Sequence, residues 1–284
     1  MRQRTITAFF FAAVMLGGIY GGKYTFFALF GLITFGCSWE LLGLMLKQED
    51  QFVTLRRIAG TIPAVLVYLS LGGNALEIIP NNLLISPLIM PALLFAGWAL
   101  LEMFLASKNP FGNIGSYFLA LAYIGIPLGL LTIIVQTQGN WCTVGEDPDA
   151  HYYIPHRVFG LLLLVWTNDT GAYLTGRAFG KHKLFERISP KKTWEGTLGG
   201  AVLTVLVAWG LSFIIKDFTL PQWLALSVVA AIGSNLGDLV ESMLKRSVGV
   251  KDSGTFLPGH GGFLDRFDAF IFCLPFFWLV LRLV

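Results

Sequence analysis

Apolar runs long enough to cross a bilayer recur along the chain at about 6–22, 24–46, 58–73, 83–106, 115–137, 157–179, 196–215, 222–244 and 266–284, with short polar breaks between them. A bilayer core takes about 20 apolar helical residues per crossing, and inside it only helices and closed barrels satisfy every backbone group. The pattern predicts an all-α, polytopic integral membrane protein with about nine transmembrane helices, the third of them short. Pro63, Pro87, Pro91 and Pro127 fall within runs and predict kinks whose freed carbonyls are satisfied by neighbouring helices. No soluble domain, low-complexity tail or repeat interrupts the runs, so 1–284 reads as a single transmembrane domain.

The breaks set an orientation. With nine spans, the N-terminus and every second break share one side, and that side collects sixteen of the 20 Lys and Arg. The other side keeps Lys23, Arg157, Lys216 and Arg282, so the positive-inside rule predicts an N-in chain with its C-terminus outside. The long break at 138–156, with Glu146, Asp147 and Asp149, then faces outward. Met1-Arg-Gln-Arg4 before an apolar run resembles a signal peptide, but without a small-residue cleavage site it reads as an uncleaved first helix.

Composition agrees with the pattern: 55% of the residues are hydrophobic, 13% are charged, and the mean hydropathy is +0.68. A net charge of +3 argues against nucleic acid as a partner, because the positive charge is local to one face. Cys37, Cys142 and Cys273 lack metal-ligand spacing and read as small packing residues. Glycine pairs such as Gly17/Gly21 and Gly196/Gly200 permit close helix packing, within one chain or in a homodimer.

Ionisable groups inside a membrane are costly and point to function. In the first half, Glu40 and Glu102 are such groups, each either protonated or bonded to a neighbouring helix, and neither is assigned a role. The second half is richer. The run at 157–179 holds Asn168 and Asp169, with Tyr173 one turn on and on the same face as Asp169. Ser189-Pro190-Lys191-Lys192-Thr193-Trp194-Glu195-Gly196 leads into the next run. Ser189 and Pro190 suit a helix start, whereas two lysines oppose the dipole there and make a good site for a triphosphate. In the run at 222–244, Ser234, Asp238 and Ser242 form one stripe flanked by Glu241, and Gly233/Gly237 invites a close neighbour.

The strongest departure from apolar pattern is 242–268. It reads Ser242-Met-Leu-Lys245-Arg246, then Lys251-Asp252-Ser-Gly-Thr-Phe-Leu-Pro-Gly-His260-Gly-Gly262-Phe-Leu-Asp265-Arg266-Phe-Asp268. A basic loop explains Lys245, Arg246 and Lys251 but not Asp265 and Asp268 interleaved with Arg266, nor the Pro-Gly-His-Gly-Gly segment, whose glycines free N–H groups to face an anion. This stretch resembles the signature of the phosphatidate cytidylyltransferases (CDP-diacylglycerol synthases), and 189–196 resembles that family's Ser-Pro-Lys-Lys-Thr-x-Glu-Gly element. The specific likeness covers about 160–268.

The resemblance implies an enzyme that transfers CMP from CTP to phosphatidic acid in a bacterial cytoplasmic membrane, releasing pyrophosphate. Family and physics agree on Asp238 and Asp265 as ligands of Mg²⁺, which is held by a few carboxylates plus substrate phosphates. Asp169, with Asn168, is a third metal or substrate contact. Lys191, Lys192, Lys245, Arg246, Lys251 and Arg266 are expected at phosphates, Lys192 at the reaction itself. His260 is expected as a phosphate donor, and Ser189 and Ser242 as supporting hydrogen-bonding groups. The lipid phosphate is already ionised near neutral pH, so no strong general base is required. Two rivals stay open. A CTP-dependent polyprenol or phytol kinase would transfer the γ-phosphoryl group, and a cation-coupled transporter would use its carboxylates near the midplane.

Overall fold

A computed structural model describes residues 2–46, 51–78, 90–137, 152–254 and 261–284. Among them the helices are α1 (Arg2–Tyr20), α2 (Lys23–Met45), α3 (Val53–Ala75), α4 (Met90–Phe104), α5 (Pro110–Ala120), α6 (Ile126–Ile134), α7 (Pro155–Phe179), α8 (Trp194–Ile214), α9 (Leu220–Ser247) and α10 (Leu264–Leu283). Two antiparallel ladders interrupt them. One pairs β1 (Gln136–Thr137) with β2 (Tyr152–Tyr153), the other β3 (Lys183–Phe185) with β4 (Ser189–Thr193). Helices α2, α3, α8, α9 and the continuous rod Pro110–Ile134 are long and apolar enough to cross a membrane. The chain is a helical, multi-pass membrane protein. Pro87, Cys142 and the acidic residues of the 138–156 break lie outside the described residues.

The helices stand where the apolar runs placed them, with instructive differences. The run at 58–73 grows into the longer α3 because the helix continues backwards through Arg56, which is buried against Glu102. The rod Pro110–Ile134 passes through a π turn at Leu121–Gly125 just before Pro127. Proline has no N–H to give the carbonyl four residues back, and a widened turn next to it absorbs that loss. Gly125 also lets the α3 backbone approach: a Cβ there would meet Ala64 O at 2.6 Å.

The chain divides into two compact units, Met1–Tyr153 with Asp252–Leu264, and Ile154–Lys251 with Asp265–Val284. In the first, α3 packs on α2 and on the α5–α6 rod around Phe26, Phe30, Leu41, Tyr68 and Tyr117, all fully buried. Glu102 is not a lone carboxylate. Arg56 Nε donates to both of its oxygens at 3.1 Å, Tyr117 OH to Oε1 at 2.5 Å and Asn113 Nδ2 to Oε2 at 3.0 Å.

In the second unit, α8 packs between α7 and α9. Glycines set these distances: a Cβ at Gly196 would meet Ala172 O at 2.7 Å, and one at Gly200 would meet Asn168 O at 2.7 Å. The Gly196/Gly200 pair thus serves packing within the chain. Gly233 and Gly237 do the same for α9 on α10, where a Cβ at Gly237 would sit 2.9 Å from Ala269 Cα. Backbone cannot swing aside as a side chain can, so Gly237→Ala is expected to cost about 1–3 kcal/mol of stability. Thermal unfolding of the detergent-solubilised variant checks this, and a wild-type melting temperature would refute it. Cys37 and Cys273 are buried free thiols, in agreement with a packing role.

Candidate active site

Four elements of the second unit bring the chemistry together. α7 carries Asn168, Asp169, Tyr173 and Arg177, β4 carries Lys191 and Lys192, α9 carries Ser234 to Lys245, and α10 opens with Asp265 and Asp268. The segment 189–193 is a strand and not the start of a helix, which corrects the reading of Ser189-Pro190 as a helix start. Lys183 pairs with Thr193 and Phe185 with Ser189. Thr193 provides the cap instead, its hydroxyl accepting from Gly196 N at 3.2 Å. Glu195 closes the hairpin by accepting from the Lys181 and His182 amides and pairing with His182 Nδ1 at 2.6 Å. The lysines therefore stand on a short two-stranded antiparallel ladder with one irregularity in its register.

Between α7, β4 and α9 lies a cavity of about 300 Å³. Its wall includes Asp169, Tyr173, Arg177, Lys191, Lys192, Thr193, Asn235 and Asp238. Lys192 Nζ donates to Asp238 Oδ2 at 2.6 Å and to Asn235 O at 3.2 Å. Three cationic side chains and two carboxylates thus face one space, a mixture that suits a polyanion better than an apolar ligand.

A second cluster joins α9 to α10. Lys245 Nζ donates to Glu241 Oε2 at 2.6 Å and to Asp265 Oδ1 at 2.7 Å, and all three side chains are largely buried. Asp268 is buried and within electrostatic range of both Asp238 and Glu241, which links the two clusters. Glu241 and Asp268 were visible in the sequence, three residues from Asp238 and Asp265 respectively, but were given no role there. Arg177 and Asn235 were also missed: the first reads as an ordinary basic helix end, and the second contributes a main-chain carbonyl that residue type does not report.

Other predicted residues stand apart from the cavity wall. Asn168 is fully buried, and its amide donates to Ser234 Oγ at 2.5 Å, holding α7 to α9 behind the cavity. Ser189 and Ser242 are half-buried and do not line it. Arg246 is exposed and donates to Val250 O at 3.2 Å, closing the C-terminal turn of its own helix. Lys251 and Arg266 are exposed, and His260 lies outside the described residues.

The cytidylyltransferase family model matches residues 2–284. The chain belongs to the cytidylyltransferase family. Proteins named phosphatidate cytidylyltransferase are similar over nearly its whole length. That of Staphylococcus haemolyticus is 35% identical over 280 residues, covering 97% of this chain and 96% of the relative. Those of Staphylococcus saprophyticus and Staphylococcus aureus are 34% and 33% identical, with the same coverage. As a member of this cytidylyltransferase family, the chain is a nucleotidyltransferase.

Proposed function

We propose that the chain transfers CMP from CTP to phosphatidic acid, yielding CDP-diacylglycerol and pyrophosphate, and that the cavity between α7, β4 and α9 takes the triphosphate. The observation that carries this reading is Lys192, held between Asp238 and the Asn235 carbonyl on the cavity wall beside Lys191, Arg177 and Asp169. CTP and phosphatidic acid are both anionic, and their approach is opposed until cations surround the phosphates. Lys191, Lys192 and Arg177 supply that charge, and the hairpin fixes two of them before substrate arrives. The lipid phosphate oxygen attacks the α-phosphorus in line and pyrophosphate departs. No histidine or serine has to remove a proton, because the attacking oxygen is already ionised.

The donor chemistry suits Mg²⁺, since Asp169 and Asp238 share the cavity wall and Glu241 and Asp265 share Lys245, although among the described residues no three carboxylates are gathered closely enough to hold one ion as they stand. Among the described residues, Glu241 Oε1 is buried without a hydrogen-bond partner, an arrangement a cation would relieve. Asp169, Asp238 and Asp265 would hold the ion. Its chemistry when bound is charge neutralisation on the phosphate oxygens and on the leaving pyrophosphate. Lysines now occupy two of these carboxylates, so we infer that Lys192 and Lys245 turn from carboxylate to phosphate as substrate enters. In this reading the membrane is the cytoplasmic membrane of a bacterium. Nine spans with the N-terminus inside would put the Lys191–Lys192 hairpin and Lys245–Lys251 on the cytoplasmic face, where CTP is found.

The test uses purified protein, phosphatidic acid, Mg²⁺ and CTP labelled on the α- or the γ-phosphate. Lipid-phase label from α-labelled CTP alone is the expected result. Label from γ-labelled CTP with a prenol acceptor would make the chain a lipid kinase and overturn the proposal.

A further inference from the structure

Glu40 sits on α2 in the first unit, far in sequence from the residues so far discussed. One of its oxygens, Oε2, accepts from Ser253 Oγ at 3.0 Å and from Leu264 N at 2.9 Å. Two glycines of the same segment close on this carboxylate. A Cβ at Gly254 would collide with Glu40 Oε1, and a Cβ at Gly262 would collide with Glu40 Oε2 and with Ser253 Oγ. One turn back on α2, a Cβ at Gly36 would sit 2.6 Å from the Phe263 ring. Arg57 of α3, stacked over Trp39 at 4.0 Å and donating to its carbonyl at 2.8 Å, lies within electrostatic range of Glu40. Both described ends of the segment are thus fixed on one face of α2.

The need for such a partner is local. Leu264 opens α10, and the first amides of a helix have no acceptor within it. A Ser, Thr, Asp or Asn just before the helix normally supplies one. Here the preceding residues are Gly261, Gly262 and Phe263, which carry no acceptor side chain. Glu40, 224 positions earlier, provides it, and its negative charge suits the helix N-terminus. Asp265 is the next residue in the chain.

We propose that Glu40 is a positioning residue for the carboxylates that open α10. By capping the Leu264 amide and holding Ser253 it sets the turn from which Asp265 reaches Lys245, without touching substrate. The proposal rests on the reading of Asp265 as a site carboxylate.

The full-length protein with Glu40→Ala, Glu40→Gln and Gly262→Ala tests it, with hydrogen–deuterium exchange of the peptides around 261–268 read alongside kinetics. Small misplacements of a reacting constellation cost up to about 100-fold, so Glu40→Ala is expected to lower kcat by about 10- to 100-fold. The KM for CTP, which reports binding shared by ground and transition states, is expected to move by less than about threefold. Exchange around Leu264 should quicken in Glu40→Ala. Glu40→Gln keeps an oxygen at the same reach and should restore most of kcat and the slow exchange. Gly262→Ala should reproduce the loss, and combining it with Glu40→Ala should add little, since the Glu40 atoms that the new Cβ meets are gone and the Ser253 hydroxyl, no longer held by Glu40, can turn aside. The proposal is overturned if Glu40→Ala leaves kcat or the exchange at Leu264 unchanged, or if Glu40→Gln is as impaired as Glu40→Ala. A wild-type protein that forms no CDP-diacylglycerol would sink the activity reading instead, while the exchange result would still decide whether Glu40 holds Leu264.

Discussion

Asp238→Asn is expected to lower kcat for CMP transfer by about 10²- to 10³-fold, because it weakens the carboxylate set that would hold the cation neutralising the phosphate oxygens in the transition state. The side chains are nearly isosteric and Asp238 is one-third exposed, so the fold is expected to survive. The two roles open to this carboxylate make different predictions. If it serves chiefly as the partner of Lys192, the double variant Lys192→Met/Asp238→Asn loses no more activity than Lys192→Met alone, because the carboxylate then has no lysine left to hold. If it holds the metal–phosphate assembly in its own right, the double variant loses more than either single. We expect the second outcome, because Lys192 keeps the Asn235 carbonyl as an acceptor when Asp238 is neutral. Steady-state kinetics at saturating CTP, with a melting curve for each variant, decide the matter. A kcat within tenfold of wild type for Asp238→Asn alone would remove it from the reaction.

What the sequence showed and hid follows from the kind of signal each feature leaves. The helices were legible because each buries or exposes a whole apolar run, and a run survives errors of a few residues at its ends. Asp169, Lys192 and Asp238 were legible as polar residues where a membrane penalises them. Their juxtaposition rests on glycines: Gly196 and Gly200 let α8 lie against α7, and Gly233 and Gly237 let α9 lie against α10. The spacing of Gly233 and Gly237 announced a close neighbour but not which helix it would be. The role of Lys245 as a bridge between Glu241 and Asp265 was hidden for another reason, since a lysine at a helix end looks the same whether it faces water or two carboxylates. The β3–β4 ladder was missed because Ser-Pro is a common helix start, and only its pairing with Lys183–Phe185 shows otherwise. Glu40 and Glu102 were seen as anomalies, yet sequence distance concealed their partners, Leu264 and Arg56.

The second large effect concerns Arg56 and Glu102, each only 1% exposed. Arg56→Met is expected to destabilise the protein by about 3–5 kcal/mol, because removing one member leaves the other charge buried without its counter-ion. For a chain of this size that corresponds to a melting temperature lower by roughly 10 °C. The Tyr117 hydroxyl and Asn113 amide would remain on Glu102, but two neutral donors do not replace a guanidinium bound to both oxygens. Glu102→Gln in the same background removes the stranded charge while keeping an oxygen for Tyr117 or Asn113. The double variant should therefore be more stable than Arg56→Met alone, so the two substitutions should be strongly non-additive. Melting curves of wild type, both singles and the double in one detergent complete the cycle. Additive losses, or an Arg56→Met protein as stable as wild type, would show that Arg56 is held at α3 by something other than this carboxylate.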